Sequence, residues 1–161
     1  MSKKIIETDR IDRLILQKLM QDAMTPNNRI AQDIFVSAAT VHQRLKRLEQ
    51  DIIVGAHLKI DVEVLGYNLH AFVAIYLTRA NEREDVTERL KYIPEVVRAH
   101  VTTGSFGILA ELICRDNDHL RDILLQRIER IAGVARAETF LSLERTIDRP
   151  LNILHPDDLE D

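Results

Sequence analysis

Apolar residues recur at helical spacing in three segments within the first fifty positions of the chain. The first segment begins after Asp9, which is a predicted N-cap, and ends before Pro26. Its core-facing residues repeat at i, i+3 and i+4 and are Ile11, Leu14, Ile15 and Leu19. The second segment, residues 28–34, offers a shorter apolar face made of Ile30, Ala31 and Ile34. The small side chain of Ala31 permits a close helix crossing, so the pattern predicts a minimal core of three short helices.

The third segment predicts a helix with one apolar and one polar face. Val41, Leu45 and Leu48 fall at i, i+4 and i+7 and share the face that can be buried. Ser37 stands before the first turn and is the predicted N-cap. The opposite face carries small, hydroxyl, amide and basic side chains, which are Ala39, Thr40, Gln43, Arg44, Lys46 and Arg47.

This polar face is typical of the second helix of a helix-turn-helix DNA reader. Small and hydrogen-bonding side chains suit an approach to base edges, and cations further along suit contact with phosphates. The predicted DNA-binding residues are therefore Ser37, Ala39, Thr40, Gln43, Arg44, Lys46 and Arg47. The simpler interpretation of the basic residues is a solvated helix face, and only the helix-turn-helix context favours DNA over it.

Beyond Glu49 the hydrophobic period changes to that of strands. Two short runs at 52–54 and 57–60, around Gly55, predict a hairpin that would complete a winged helix-turn-helix. From residue 69 the period is two, and both sides of the strand are apolar: Leu69, Ala71, Val73, Ile75 and Leu77 alternate with His70, Phe72, Ala74 and Tyr76. Such a strand needs helices over one face and another cover over the other, which favours a homodimer.

The remaining segments alternate between strand and helix patterns. The predicted elements are a helix at 85–92, strands at 96–102 and 108–114, a helix at 118–131 and a strand at 135–143. Together with the first strand this order is βαββαβ, the ferredoxin-like plan, and the predicted fold class is α+β. The predicted domains are a winged helix-turn-helix at 1–61, a ferredoxin-like domain at 62–149, and an acidic tail at 150–161 that lies on the surface or frays.

Charge is divided unevenly along the chain, whose formal net charge is −4. Residues 1–60 hold ten Lys and Arg against seven Asp and Glu, whereas residues 61–161 hold twelve against nineteen. A basic first part joined to an acidic second part is what a DNA-binding module followed by a separate regulatory module would show. The longest run without formal charge, residues 64–78, is shorter than the about 20 residues of a membrane-spanning helix, so no membrane partner is expected.

The cysteine, histidine and acidic residues of the sequence give little support to catalysis or to a cofactor site. Cys114 is the only cysteine, so a reducing cytoplasm is the predicted compartment and core packing the predicted role of this thiol. The six histidines show no metal-ligand spacing, so we predict no metal and no cofactor. Glu111 and Glu138 could be paired acids, although carboxylates satisfied at a surface or interface are commoner. Neither a Ser/His/Asp order nor a phosphate-binding glycine motif is present, so the protein is not predicted to be an enzyme.

The order and spacing of the motifs resemble the leucine-responsive and asparagine-synthase regulator family, Lrp/AsnC, over nearly the whole chain. The segments that carry the resemblance are the opening helix TDRIDRLIL at 8–16, the recognition helix VSAATVHQRLKRLE at 36–49, the wing IIVG at 52–55 and the loop TTGSFG at 102–107. The resemblance implies a DNA-binding transcriptional regulator that forms homodimers. Family members assemble further, commonly to octamers, and bind amino acids at contacts between dimers, which makes 62–149 an effector-binding and oligomerisation domain.

The resemblance also implies an effector site in the glycine-containing loop, formed by Thr102, Thr103, Gly104, Ser105, Phe106 and Gly107. By itself this sequence indicates only a turn between two strands. Exposed amides beside Gly104 could approach a carboxylate closely, because glycine has no side chain to block them. Since the loop contains no acid to pair a cationic side chain, the predicted effector is a neutral or apolar amino acid, with leucine or methionine first. Relatives often carry acidic residues where Ser105 and Gly107 stand.

The chain departs from the family at two turns. The family usually has glycine where this chain has Phe35, and a second glycine is absent here between Asp51 and Ile52. Both positions favour positive φ in relatives, which a bulky side chain disfavours. Either the turns take another shape in this chain, or the DNA reader is strained.

Three alternatives to a sensing regulator remain. The first is a tetrapyrrole (sirohaem) decarboxylase of related architecture, for which His70, Arg98 and His100 are the candidate residues. The second is an architectural DNA-compacting protein, and the third is a sensor that has lost DNA binding because of the changed turns.

Overall fold

The computed structural model describes residues 5–159, whose contacts separate into two units. Among these residues, one unit contains 5–59 together with 147–159, and the other spans Ile60–Thr146. The division near residue 60 lies close to the predicted domain limit. The C-terminal segment, for which the sequence predicted a tail on the surface or fraying, belongs to the unit that contains the N-terminal helices, and most of its described residues are exposed.

Three helices form the core of the first unit: α1, Arg10–Gln21; α2, Asn27–Asp33; and α3, Ala38–Asp51. The Asp9 carboxylate caps α1 by accepting a hydrogen bond from the Asp12 amide at 2.9 Å, and Asp12 completes the capping box. Ser37 caps α3 by accepting from the Thr40 amide at 3.0 Å. Both predicted helix starts are therefore confirmed. The buried core residues are Ile15, Leu16, Ile30, Ala31, Ile34, Val41 and Leu48.

The prediction of a hairpin wing is wrong for the single chain, because residues 52–60 contain no strand. Val54 is 97% exposed, Leu58 82% and Ile60 60%. The apolar side chains on which the strand prediction rested therefore make few contacts with the rest of the protein. A two-stranded hairpin is marginal in water without a surface to cover one of its faces. Local hydrophobic alternation was therefore insufficient to build this wing.

The second unit is a four-stranded antiparallel sheet with helices on one face. Its strands are β1, Leu69–Leu77; β2, Val96–Val101; β3, Ile108–Cys114; and β4, Val134–Leu141. Its helices are α4, Arg83–Leu90, and α5, Asn117–Ile123, which continues as a π-helical turn over Leu124–Ile128. The strand order is β2-β3-β1-β4, and every neighbouring pair is antiparallel. This is the βαββαβ plan that the sequence predicted. The ends of the elements differ, and the second half of the helix predicted at 118–131 contains the π-helical turn.

The helix-covered face of the sheet carries the core of the second unit. Alternate residues of β1 and β3 point into it, together with apolar residues of the helices: Ala71, Val73, Ile75, Val86, Leu90, Ile108, Ala110, Leu112, Cys114, Leu120 and Ile123. Cys114 is fully buried, as predicted for a packing residue. Burial, with smaller contributions from Glu95 and Asp116, raises the pKa of its thiol to about 11. The thiol is therefore protonated at neutral pH.

The opposite face of the sheet is partly apolar and partly charged. Phe72 of β1 lies opposite Phe140 of β4 in the ladder, and Phe140 is 51% exposed. His70 and Glu111 lie on the same face and are only partly buried. The period of two therefore describes the two faces of β1 correctly. That a second subunit covers the partly exposed face remains a prediction.

Candidate nucleic-acid interface and effector loop

The polar face of α3 carries most of the predicted DNA-binding residues on an exposed surface. Ala39, Gln43, Lys46 and Arg47 are exposed, as is the capping residue Ser37, whereas Thr40 and Arg44 are partly buried. The hydroxyl of Thr40 lies 2.7 Å from that of Ser37. The first turn of the helix therefore presents small side chains near an N-terminus, and cations follow further along.

Two arginines of this face are held by carboxylates of α1. Arg44 Nη1 lies 2.5 Å from Asp9 Oδ2 and 3.0 Å from Asp12 Oδ1, and Arg47 also pairs with Asp12. The Asp12 side chain is 1% exposed, whereas that of Arg47 is 52% exposed. The hydrogen bond from Arg44 lowers the pKa of the Asp9 carboxyl, and the same bond raises the pKa of the Arg44 guanidinium. Arg44 and Arg47 therefore have an internal structural role besides any contact with DNA.

Sequence reasoning missed the part that Asp12 plays at this surface. The sequence predicts Asp9 as a helix cap and indicates no role for Asp12. The available signal was the pair of acids at the cap and third positions of α1, together with arginines three apart on α3. Spacing within a single helix could not reveal that the two helices bring these groups together.

Phe35, in the turn before α3, has φ 56°, the only positive value among the non-glycine residues described. Its side chain is 95% exposed. The turn is closed by hydrogen bonds from the Phe35 amide to the Gln32 carbonyl at 3.4 Å and from the Val36 amide to the Ala31 carbonyl at 3.0 Å. This chain thus keeps a left-handed turn with phenylalanine in place of glycine. Of the two possibilities that the sequence left open for this turn, another shape or a strained DNA reader, the second is the one observed.

The second departure from the family has a different outcome. Ile52, which follows α3, has φ −127° and donates its amide to the Leu48 carbonyl at 2.9 Å. The end of α3 therefore takes another shape and needs no glycine.

The predicted effector loop, residues 102–107, is tied at its base. The Thr102 amide donates to the Gly107 carbonyl at 3.0 Å, and the Thr102 hydroxyl donates to the Phe106 carbonyl at 2.8 Å. The Gly107 amide donates to the Ile75 carbonyl at 3.0 Å, which joins the loop to β1. A Cβ at Gly107 would lie 2.6 Å from the end of the Leu77 side chain, so glycine permits this close approach.

The tip of the loop is open. Thr103, Gly104 and Ser105 are exposed, and no atom lies within 4 Å of the place where a Gly104 Cβ would stand. Gly104 has φ 110°, a conformation that side-chain-bearing residues avoid. The glycine is thus required by the backbone rather than by crowding, and the main chain beside it faces open space.

An aromatic and charged cluster borders the loop. The Phe106 ring packs edge-on against the Tyr76 ring with centroids 6.1 Å apart, and the Arg136 guanidinium lies 3.5 Å above the Tyr76 ring. The Tyr76 hydroxyl donates to Glu138 Oε2 at 3.0 Å, and Arg136 lies 3.6 Å from the same oxygen. Pairing between β1 and β4 brings Tyr76, Arg136 and Glu138 to the loop, which no local pattern in the sequence indicates.

The residues of the tetrapyrrole hypothesis lie on the partly exposed sheet face. His70 Nε2 is 2.7 Å from Glu111 Oε1, and Arg98 Nη1 is 2.9 Å from Glu111 Oε2. Burial alone would raise the pKa of the Glu111 carboxyl, but hydrogen bonds from Arg98 and His70 outweigh it and lower this pKa. His100 is exposed on β2. Glu111 and Glu138 each have their own partners, so the two acids are satisfied carboxylates rather than a pair.

Within residues 5–159, no cluster of three or more histidine, cysteine or acidic side chains has a geometry that could hold a metal ion. Over the same residues, every helix is too short or too polar to cross a bilayer.

Comparison with known proteins matches the N-terminal and the C-terminal parts of the chain to two domains of one family. A sequence model of the AsnC-type helix-turn-helix domain matches residues 9–49, and a model of the Lrp/AsnC ligand binding domain matches residues 70–151. The chain belongs to the Lrp/AsnC family. The predicted family and α+β architecture are therefore confirmed.

Named relatives in this family are regulators. The regulatory protein AsnC of Escherichia coli K12 is 33% identical over 144 residues, which cover 89% of this chain and 95% of that protein. The transcriptional regulator LrpA of Pyrococcus horikoshii is 33% identical over 138 residues, covering 85% of this chain and 97% of that protein. Like them, this chain is a transcriptional regulator of the Lrp/AsnC type.

Solved structures extend the likeness to three dimensions. The structure of E. coli AsnC superposes with a TM-score of 0.85 at 32% identity and covers 91% of this chain and 99% of that one. A feast or famine regulatory protein from Mycobacterium tuberculosis, complexed with L-methionine, gives a TM-score of 0.79 at 29% identity over 87% of this chain and 95% of that one. The fold is thus shared with these family members over about nine-tenths of the chain.

Proposed function

We propose that this regulator binds operator DNA as a homodimer and that a small neutral amino acid, with methionine or leucine first, alters its binding. The observation that carries the proposal is the exposed polar face of α3, capped by Ser37, in the same chain as a matched ligand-binding domain. In this proposal the effector shifts DNA binding only because it has different affinities for two states of the protein.

On the DNA side, exposed side chains early in α3 read bases and later ones meet phosphates. Ala39, Thr40 and Gln43 face the groove in this arrangement, and Lys46 and Arg47 contact the backbone. Arg44 is the most buried of the basic residues on α3, and its two carboxylate partners suit it to positioning as much as to direct contact.

On the effector side, the loop Thr102–Gly107 receives the amino acid. Its tied base and open tip support this role, because the main chain beside Gly104 can approach a carboxylate without obstruction. The methionine complex of the M. tuberculosis relative supports an amino acid of that kind. Glu138, reached through Tyr76, is an acid next to the loop that could meet an α-amino group.

The partly apolar sheet face, with Phe72 opposite Phe140, is the proposed dimer interface. Dimers would assemble further, to an octamer, and the protein would act in the cytoplasm. We propose no catalytic role. His70 and Arg98 both engage Glu111, so these candidate tetrapyrrole residues serve as an ion-pair cluster in this interpretation.

The test selects duplexes from a randomised pool with the full-length protein and then footprints the best sequence. A two-fold symmetric footprint is expected, with half-sites about 34–36 Å or a multiple apart, as two recognition helices of a dimer require. A thermal-shift screen with the twenty amino acids identifies the effector, because a ligand that prefers the folded state raises its apparent stability. Failure to enrich any duplex would contradict the proposal, and a visible absorbance band with added sirohaem would favour the decarboxylase instead.

A further inference from the structure

The C-terminal segment, residues 147–159, is attached to the helix-turn-helix unit at several points, and we call it the C-terminal strap. Lys59 Nζ lies 2.6 Å from Asp148 Oδ2. Ile153 packs against the core formed by the three helices, and its amide donates to Gln17 Oε1 at 3.1 Å. The strap ends in a 3-10 turn at Pro156–Leu159. It therefore forms part of the unit that carries the recognition helix.

Asp158 anchors the strap to α1 and is 4% exposed. Its carboxylate accepts two hydrogen bonds from Arg13, from Nε at 2.6 Å and from Nη2 at 2.7 Å. The His155 amide donates to the same carboxylate at 2.9 Å, and Arg10 Nε donates to the Asp158 carbonyl at 3.2 Å. A bidentate arginine-carboxylate pair fixes both distance and orientation, which a single point contact does not.

The helix that receives this anchor also holds the recognition helix. Arg13 follows Asp12 directly in α1, so their side chains leave the helix about 100° apart. Arg13 contacts the strap, whereas Asp12 contacts Arg44 and Arg47 of α3. The first helix thus lies between the strap and α3, with ion pairs on two sides. Any rotation or fraying of its first turns would displace the carboxylate that positions both arginines.

The anchoring part of the strap is not covered by either family match. The ligand-binding match ends at residue 151, whereas the contacts with α1 are made by Ile153, His155 and Asp158. The family likeness therefore supplies no role for these residues, and their function has to be argued from their contacts.

We propose that Asp158 is a positioning residue for DNA binding, which through Arg13 fixes α1 and thereby the Asp12 carboxylate that holds Arg44 and Arg47. This inference rests on the proposed DNA-binding function of α3. The strap does not touch DNA in this arrangement; it limits the positions from which the two guanidinium groups can meet phosphates. Preorganised charges lose less conformational freedom on binding, so releasing the strap weakens the complex.

The test compares Asp158→Asn with Asp157→Asn in the full-length protein. Both substitutions remove one negative charge from the same turn, but Asp157 is exposed and Arg13 pairs with Asp158. The probe is the duplex that the wild-type protein selects from a randomised pool, and circular dichroism checks folding at the assay temperature. We expect Asp158→Asn to weaken operator binding on the order of threefold to tenfold and Asp157→Asn to change it less than about twofold. Asp158→Glu, which keeps the charge, should restore part of the affinity.

A double-mutant cycle with Arg47→Gln separates positioning from a general loss of stability. If Asp158 acts through the arginines, Asp158→Asn should weaken binding less in the Arg47→Gln protein than in the wild type, with the loss roughly halved on a logarithmic scale because Arg44 remains. Equal losses in the two backgrounds would overturn the positioning role, because a general structural effect is independent of Arg47.

The two proposals fail in different ways. If the wild-type protein binds no duplex, the proposed function fails; if it binds and folded Asp158→Asn binds equally well, only the role of Asp158 is overturned. Should Asp158→Asn be unfolded at the assay temperature, Arg13→Lys takes its place, because lysine keeps the positive charge but cannot form the bidentate pair with Asp158. A loss on the order of threefold is then expected, and unchanged affinity in folded Arg13→Lys would overturn the proposal.

Discussion

Asp12 of α1 holds Arg44 of the recognition helix with a 3.0 Å contact between carboxylate and guanidinium. The carboxylate is almost completely buried, so the pair has lost most of its water and depends on its partners for compensation. A basic residue predicted as a phosphate ligand is therefore also part of the helix-turn-helix core. Its removal should affect folding and DNA binding together.

The first prediction concerns stability. Arg44→Ala leaves the buried Asp12 carboxylate with only Arg47 as a cationic partner, and it also removes the arginine that pairs with Asp9. The free energy of unfolding should fall by about 1–3 kcal/mol, measured by urea denaturation. Lys46→Ala on the same helix is the control and should change it by less than about 0.5 kcal/mol, because Lys46 is exposed. Equal effects of the two substitutions would contradict a structural role for Arg44.

The second prediction separates phosphate contact from base contact on α3. Arg47→Ala should weaken binding to all duplexes and reduce the slope of log affinity against log salt by roughly one unit, as expected when one phosphate contact is lost. Gln43→Ala should instead relax base preference and leave the salt slope unchanged. Titrations of selected and random duplexes over a series of salt concentrations measure both quantities. If neither substitution alters DNA affinity, the recognition surface lies elsewhere.

The third prediction uses the left-handed turn at Phe35. With φ 56° the residue pays a conformational cost that glycine avoids, and its ring is too exposed to contribute much burial. Phe35→Gly should therefore be more stable than Phe35→Ala by about 1 kcal/mol, because both lose the ring and only glycine relieves the backbone. Urea denaturation of the two variants measures the difference. A more stable alanine variant would show that unfolded-state entropy outweighs the strain.

Local signals explain what the sequence could predict. The caps at Asp9 and Ser37 and the period of two in β1 each depend on residues within a few positions of one another, so helix starts and strand faces were predicted correctly. The wing failed because a hairpin needs a surface to cover it, which alternation at 52–60 does not supply. The partners of Asp12 and Asp158 depend on tertiary packing between distant segments. The unusual turn at Phe35 could be predicted only from the resemblance to the family, because no local pattern indicates a positive φ at a phenylalanine.

The fourth prediction concerns pH and the strap. Hydrogen bonds from Arg13 are the largest cause that lowers the pKa of the Asp158 carboxyl to about 2, below the unfolded value of about 3.9. A carboxyl with a lower pKa in the folded state contributes stability above its unfolded pKa, and this contribution is lost as the pH falls through its folded pKa. The Tm difference between the wild type and Asp158→Asn should therefore be largest above about pH 4 and shrink towards pH 2. A difference that stays constant over this range would show that Asp158 is not anchored as an ion.

The fifth prediction concerns the effector loop. Gly104→Asp should abolish the response of DNA binding to methionine or leucine, because it places bulk and negative charge where the effector carboxylate is proposed to bind. Isothermal titration calorimetry measures the loss of amino-acid affinity, and gel filtration and DNA titration check that assembly and DNA binding persist.

Gly104 needs a backbone control, because its φ of 110° disfavours any side chain. Gly104→Ala introduces that strain without a charge, and the space around the position is open enough for a methyl group. If the carboxylate binds beside Gly104, the alanine variant should keep part of the amino-acid affinity that the aspartate variant loses. Equal losses in both variants would mean that loop geometry alone is responsible, whereas wild-type affinity in the aspartate variant would place the effector site away from this loop.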